Sequence, residues 1–188
     1  MLDEWEKLPG GKEQVQAALP TPLARRRFTW LIQGLLAERV SIIDWQAILA
    51  AAKELDVATA PMLALVRAAR LRLRPSLPGN TSGAVRVALP ASFEDQLLGA
   101  ADGRAFLAAD PVQKLDFLAW LRGEMEHHDP QTVLSTRSPA LRPLLRRLVA
   151  PEFPDLMVLA EEELLSSDEP ATNDSRLHSM SEEQNAYG

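Results

Sequence analysis

The sequence predicts an α+β fold, with an N-terminal helical unit followed by a small α/β unit that holds a short open sheet. Three observations predict it. Apolar residues recur at helical spacing through the first 75 residues, with no strand pattern before residue 80. Arg74-Pro-Ser-Leu-Pro-Gly-Asn-Thr-Ser-Gly83 then gathers prolines, glycines and small polar residues, which neither continue a helix nor bury much. Beyond it, short β-like runs alternate with helical ones, the pattern of helices packed on a sheet.

Leu2 to Leu19 reads as one helix interrupted at Pro9-Gly-Gly11, with Val15, Ala18 and Leu19 as its apolar edge. Thr21 as N-cap and Pro22 at the first helical position start the next helix, which runs to about Ala37. Phe28, Leu31, Ile32, Leu35 and Leu36 form its buried stripe. Ser41 is the expected N-cap of a third helix reaching about Leu55, in a capping box with Asp44 and a staple of Val40 on Trp45. Thr59-Ala-Pro61 opens a fourth, with Met62, Leu65, Val66, Ala69 and Leu73 on one stripe.

In the second half, Ala84–Leu89 is a strand, and Ser92 caps a short helix carrying Phe93, Leu97 and Leu98. Arg104–Leu107 allows a further short strand. Asp110-Pro111 starts a helix with Leu115, Leu118, Leu121 and Met125, and Thr132–Ser135 is a strand. Ser138-Pro139 starts a helix carrying Leu141, Leu144, Leu145 and Leu148, in which Pro143 removes one backbone hydrogen bond. Leu156–Leu159 is the last strand. From Ser166 polar and acidic residues dominate without periodicity, so 166–188 is expected to be a disordered acidic tail. The organisation is therefore 1–75 helical, 76–83 linker, 84–165 α/β and 166–188 tail.

The 188 residues suffice for one or two modest cores. With no cysteine, disulfides and thiolate chemistry are excluded. No apolar run has the roughly 18 to 20 residues that cross a bilayer, and the acidic start lacks signal-peptide form. The net charge of -6 is unevenly spread. Residues 161–188 carry eight carboxylates against Arg176, a balance of -7, which leaves about +1 for residues 1–160. A near-neutral body does not favour nucleic acid as a partner.

Four segments, and the opening of the chain besides, carry a family resemblance. Leu36-Ala-Glu-Arg-Val-Ser-Ile-Ile-Asp-Trp-Gln-Ala-Ile-Leu49 resembles the "LL-x-E-x-V-S-I-R-D/N-L-R-x-I-L" segment of the bacterial export-gate family, the large inner-membrane subunits of flagellar and type III secretion systems. Val87-Ala-Leu-Pro-Ala-Ser-Phe-Glu-Asp-Gln-Leu-Leu98 is similar to its "V-x-L-x-P-x-x-E-x-x-L" strand and helix. Val133–Leu148 resembles "V-L-x-T-S-x-x-I-R-x-x-L-R-R-L", and Glu152–Leu159 resembles "E-x-P-x-L-x-V-L". The opening Leu2-Asp-Glu-Trp-Glu is similar to the family's "LLD-x-L-E", and order and spacing hold over about residues 1–165. Ile43, Trp45, Gln46 and Ala160-Glu161 depart from the pattern, which favours a divergent injectisome-type member over a flagellar one.

The resemblance implies the C-terminal cytosolic part of such a subunit, at the cytoplasmic face of the inner membrane. The membrane-spanning half and the first two cytosolic subdomains of the family lie outside this sequence. It implies a homo-oligomeric ring of nine built chiefly by 1–75, with 84–165 facing chaperone–substrate complexes and a gatekeeper protein. It implies no cofactor and no covalent chemistry.

Two arginine clusters are candidate contacts: Arg67, Arg70, Arg72 and Arg74 at the end of the fourth helix, and Arg142, Arg146 and Arg147. Arginines in a last helical turn also suit the C-terminal dipole, a purely local reading. Arg25, Arg26 and Arg27 near a helix start oppose the dipole, which favours pairing across an interface. Trp5, in an end segment with little to bury against, is the expected interface anchor, whereas Trp30 and Trp45 are assigned to the core. The expected oligomer contacts are thus Trp5, Arg25, Arg26, Arg27, Arg67 and Arg70, and the expected partner contacts Arg142, Arg146 and Arg147. A nucleic-acid-binding α/β module using these arginines is the alternative class and predicts steep salt dependence.

His127-His128-Asp129 is the sole candidate metal cluster, but spacing supplies no third ligand, and a polar helix end explains it equally. Ser135, Ser138 and His128 sit in no nucleophile-elbow sequence, and no glycine-rich phosphate loop exists, so an enzyme is not expected.

Overall fold

The computed structural model describes residues 2–99, 111–126 and 132–165. The predicted second strand at 104–107, the histidine pair and the acidic tail lie outside these residues. The observed class is α+β, with eight α-helices and a three-stranded parallel sheet among the described residues.

The first helical run divides as its Pro-Gly-Gly predicts, into α1 (Leu2–Glu6) and α2 (Gly11–Ala18). Gly10 has φ +70° and caps α2. A Cβ on Gly11 would stand 1.9 Å from the Trp5 carbonyl oxygen, so only glycine lets α1 fold back this tightly. Trp5 then stacks on Trp45 at 5.3 Å between ring centroids and meets Phe28 edge-on at 5.9 Å.

Helix α3 (Pro22–Ala37) begins as expected, with the Thr21 hydroxyl accepting from the Ala24 N–H at 3.1 Å. Its Phe28, Leu31, Ile32 and Leu35 are fully buried, and each such side chain contributes about 1.5–3 kcal/mol. Leu36 falls at the edge of that stripe and is 49 % exposed. Helix α4 (Trp45–Glu54) starts later than Ser41 predicts: Asp44 is the N-cap and its carboxylate accepts from the Ala47 N–H at 3.1 Å. Val40 is held by the end of α3, its N–H donating to the Leu35 oxygen at 2.9 Å, which delays the next helix. Helix α5 (Met62–Arg72) buries Leu65, Val66 and Ala69 as its stripe predicts, and Leu73 follows them into the core.

The proline–glycine segment forms two 3-10 turns, Arg74–Ser76 and Pro78–Asn80. It buries more than its composition suggests. Leu77 is in the core, and a Cβ on Gly79 would lie 2.3 Å from the Leu159 Cδ1. Strand β1 (Arg86–Ala88), helices α6 (Ala91–Gly99) and α7 (Pro111–Met125), β2 (Val133–Thr136), α8 (Arg142–Val149) and β3 (Met157–Ala160) follow. The strands lie in the order β1-β2-β3, with Arg86 opposite Val133 and Val133 opposite Met157.

Strands β2 and β3 are buried on both faces, and the period of two sends alternate side chains to two cores. Val133, Met157 and Leu159 join the core of helices α1–α5. Leu134 and Val158 join Phe117, Leu121, Leu141, Leu145 and Val149 under α6–α8. The sheet is thus the floor of both lobes.

Candidate docking surfaces

Where the lobes meet, four charged side chains from four elements close on one another. Arg70 of α5 is wholly buried and grips Glu163 with two bonds, Nε to Oε1 at 2.6 Å and Nη2 to Oε2 at 2.8 Å. Its Nη2 also donates to the Val158 oxygen at 3.1 Å, and its Nη1 to Glu38 Oε2 at 3.0 Å. Arg142, the first residue of α8, donates to the same Glu38 oxygen and lies 3.5 Å from Glu163. Glu163 in turn accepts from the Ala160 N–H at 3.0 Å. Two guanidinium and two carboxylate groups balance, which is the condition for burying charge without a large penalty.

Arg70, Arg142 and Arg146 are therefore not surface contacts as expected, because each is buried and hydrogen-bonded within the chain. Arg146 donates to the carbonyls of Phe153, Pro154 and Leu156 and fixes the loop into β3. Burial, with the charge of Arg39 added, pushes its pKa below the usual arginine value. Trp5 and Trp30 exchange their expected places. Trp5 is buried by the α1 fold-back, while the α3 stripe turns Trp30 outward to 45 % exposure.

The consecutive Arg25, Arg26 and Arg27 do three different things. Arg25 pairs with Glu6 at 2.8 Å and ties α3 to α1. Arg27 donates to the Ala60 carbonyl ahead of α5. Arg26 stays exposed, its guanidinium 4.9 Å above the Trp30 ring, beside the 55 % exposed Leu23. Arg67 is half exposed and holds Glu162 with two bonds. The Glu162 hydrogen bond, and then its charge, raise the Arg67 pKa. Arg147 is exposed and has no carboxylate partner among the described residues.

An apolar groove of about 480 Å³ runs between α5 and the turn leading into α8, walled by Leu63, Ala64, Ala68, Leu71, Pro139 and Ala140. Leu63 and Ala140 also wall an adjoining hollow of about 380 Å³ that continues over Leu144 to Leu98. Arg67 stands on the rim of the first and Arg147 on the rim of the second.

Sequence reading missed Glu38, Glu163 and Glu94. Glu94 accepts from Thr136 Oγ1, Arg137 Nε and the Ser138 N–H, all at 2.7–2.8 Å. Burial alone would raise its pKa, but those bonds outweigh burial and hold the carboxyl below its usual range. Among the described residues no His, Asp and Glu cluster has the form of a metal site, and no helix is long and apolar enough to cross a membrane.

Two lobes share one sheet, are locked by buried ion pairs and carry apolar and arginine-rimmed outer faces. The model of the FHIPEP family matches residues 3–169, and the chain belongs to that family, the export-gate family that its four segments resemble. The fold is similar to the C-terminal domain of InvA (TM-score 0.72, 24 % identity, 89 % of this chain and 53 % of that one). It is also similar to the CdsV protein of Chlamydia pneumoniae (0.68, 23 %, 88 % and 47 %). A third likeness is to the nonameric SctV-C of EPEC (0.65, 19 %, 88 % and 51 %). The chain spans about half the length of these solved chains. No curated protein sequence matches it.

Proposed function

We propose that this chain is the C-terminal cytosolic part of a type III secretion export-gate protein, injectisome-type, at the cytoplasmic face of the bacterial inner membrane. It assembles into a ring and docks chaperone–substrate complexes and a gatekeeper protein for export. The observation that carries the reading is the family match, which runs unbroken through both lobes. The nonameric assembly of a protein with the same fold supports the ring. Docking works by shape, apolar anchors and charge, with no bond made or broken.

The ring-building surface is the helical lobe, and the contact pair within it is Arg26 with Trp30. An exposed tryptophan capped by arginine is the composition of an interface hot spot. The partner-facing surface is the α/β lobe, where Arg147 is the exposed cation of the α8 cluster. Size-exclusion chromatography with light scattering at rising concentration tests the ring. Oligomers form, and Trp30→Ala with Arg26→Glu weakens assembly at least tenfold without lowering the unfolding temperature. A monomer at millimolar concentration, even within a longer chain carrying the preceding family subdomains, overturns the ring. In that longer chain, failure to retain any chaperone–substrate pair from its own secretion system overturns the docking.

A further inference from the structure

We propose that the outer face of α3 seats head to tail in the groove between α2 and α4 of a second copy of the chain, with Trp30 as the knob and Ala17 and Ala50 in the hole. The inference rests on the ring reading and names the two surfaces that would close the ring. A ring of more than two copies is not built by Trp30 meeting its own symmetry mate. Each subunit must offer two different patches that complement each other.

The first support is shape. Leu23, Arg26, Trp30 and Gln33 are all exposed, on the side of α3 turned away from its buried stripe. The same lobe holds a hollow of about 360 Å³ between α2 and α4, lined by Ala17, Ala18, Leu49 and Ala50. Ala17 is exposed and Ala50 half-buried, so short side chains leave the space open. An exposed tryptophan on one face and an alanine-lined hollow on another are the two halves of an anchored interface.

The second support is register. Arg26, Trp30 and Gln33 follow one another at i, i+4 and i+7, and so do Gln46, Ala50 and Lys53. Each row lies on one helix face and spans about 10 Å. With the two helices laid parallel, Trp30 falls opposite Ala50, a large side chain against a small one. Arg26 then falls at the Gln46 end and Gln33 at the Lys53 end.

The third support is charge. Gln46 Nε2 donates to Gln14 Oε1 at 3.4 Å, so Glu13, in the first turn of α2, lies at the Gln46 end of the groove. Glu13 and Arg26 are both exposed, and neither has an ion-pair partner among the described residues. Lys53, in the last turn of α4, lines the other end, where the Gln33 oxygen and the negative end of the α3 dipole would face it. The opposite direction would set Arg26 against Lys53, so charge selects the parallel seating.

The chain has no cysteine, so introduced thiols are its only ones. Gln33→Cys with Lys53→Cys, both at exposed positions, gives a ladder of covalent multimers with a short bismaleimide. Either substitution alone gives nothing beyond a dimer, and adding Trp30→Ala removes the ladder. Ala17→Arg puts a long charged side chain in the hole from an exposed position. It weakens assembly at least tenfold in light scattering and leaves the circular dichroism unaltered. Mixing the Ala17→Arg chain, whose knob is intact, with the Trp30→Ala chain, whose hole is intact, gives one-to-one pairs that grow no further. No ladder while the unaltered chain assembles, a ladder that survives Trp30→Ala, undiminished assembly of Ala17→Arg, or no pairs in the mixture overturns this interface and leaves the ring standing. Absence of both ladder and assembly overturns the ring with it.

Discussion

The junction between the lobes and the outer faces of the helices use the same residue type for opposite ends. At the junction Arg70 and Arg142 are buried against Glu38 and Glu163. On the outer faces Arg26, Arg67, Arg72 and Arg147 keep their charge at the surface. Burial makes the difference energetic as well as geometric. A buried charge that loses its partner costs about 3–5 kcal/mol, whereas an exposed pair is worth about 0–1 kcal/mol. Arginine in this chain is therefore structural or available according to how deeply its guanidinium is buried.

The largest effect should follow from breaking the junction. Arg70→Ala strands Glu163 in the core and removes the bond to the Val158 oxygen. We expect a loss of about 3–5 kcal/mol in denaturant unfolding. Arg70→Leu combined with Glu163→Leu removes both charges and recovers much of that loss, since paired buried charges can be replaced by apolar groups at little cost. Equal losses in the single and double variants would show that packing, and not charge pairing, holds the junction.

Next in size is the contact of the linking segment with the sheet. Gly79→Ala would set a methyl group 2.3 Å from Leu159 Cδ1 and 3.1 Å from Val133 Cγ2. Two core strands must then shift, and about 1–3 kcal/mol of stability is expected to go, read as a lower thermal midpoint. Gly123→Ala is the control, because among the described residues nothing lies within 4 Å of its added carbon. That change, in the last turn of α7, should stabilise the helix by at most about 0.5–1 kcal/mol.

The contrast between junction and surface also explains what the sequence could tell. The helical stripes of α3 and α5 and the Thr21-Pro22 start were legible, because neighbours within one turn decide them. The four family segments were legible because their order and spacing survive. Arg70 was not legible as a core residue, since its carboxylate lies 93 residues away and local spacing offered a dipole reading instead. Glu163 sits in a run of three glutamates that reads as the start of an acidic tail; only the Leu164-Leu165 that follows hints at burial. Trp5 was not legible as a buried residue because its ring partners, Phe28 and Trp45, lie on other helices far along the chain. In the groove, α5 and the turn before α8 are far apart in sequence, so no motif marks it.

A smaller effect lies in the α/β lobe, where Glu94 plays the part that Glu163 plays at the junction. Its folded pKa is depressed below the usual 4.5. The unfolded chain therefore takes up the proton first as pH falls. The stability due to Glu94 is present above about pH 4.5 and is lost as acidity passes below it toward the folded pKa. Glu94→Gln should lower stability at pH 7 and flatten the decline between neutral and acid pH, measured as urea midpoints across that range. An unchanged slope would mean that the bonds from Thr136, Arg137 and Ser138 do not discriminate between the charged and neutral carboxyl.

The smallest effect is expected at the surface, where Arg72 meets Glu54 with 45 % and 63 % of the two side chains exposed. Water already solvates both groups, so the pair gains little from contact and gives up side-chain freedom to make it. Arg72→Ala should change stability by at most about 1 kcal/mol at low salt. The difference should vanish at 0.5 M salt, where the screening length falls to a few ångströms. A loss comparable to that of Arg70→Ala, persisting in salt, would mean that the end of α5 is held by charge along its whole length. The division between a locked junction and available surface arginines would then fail at its nearest neighbour.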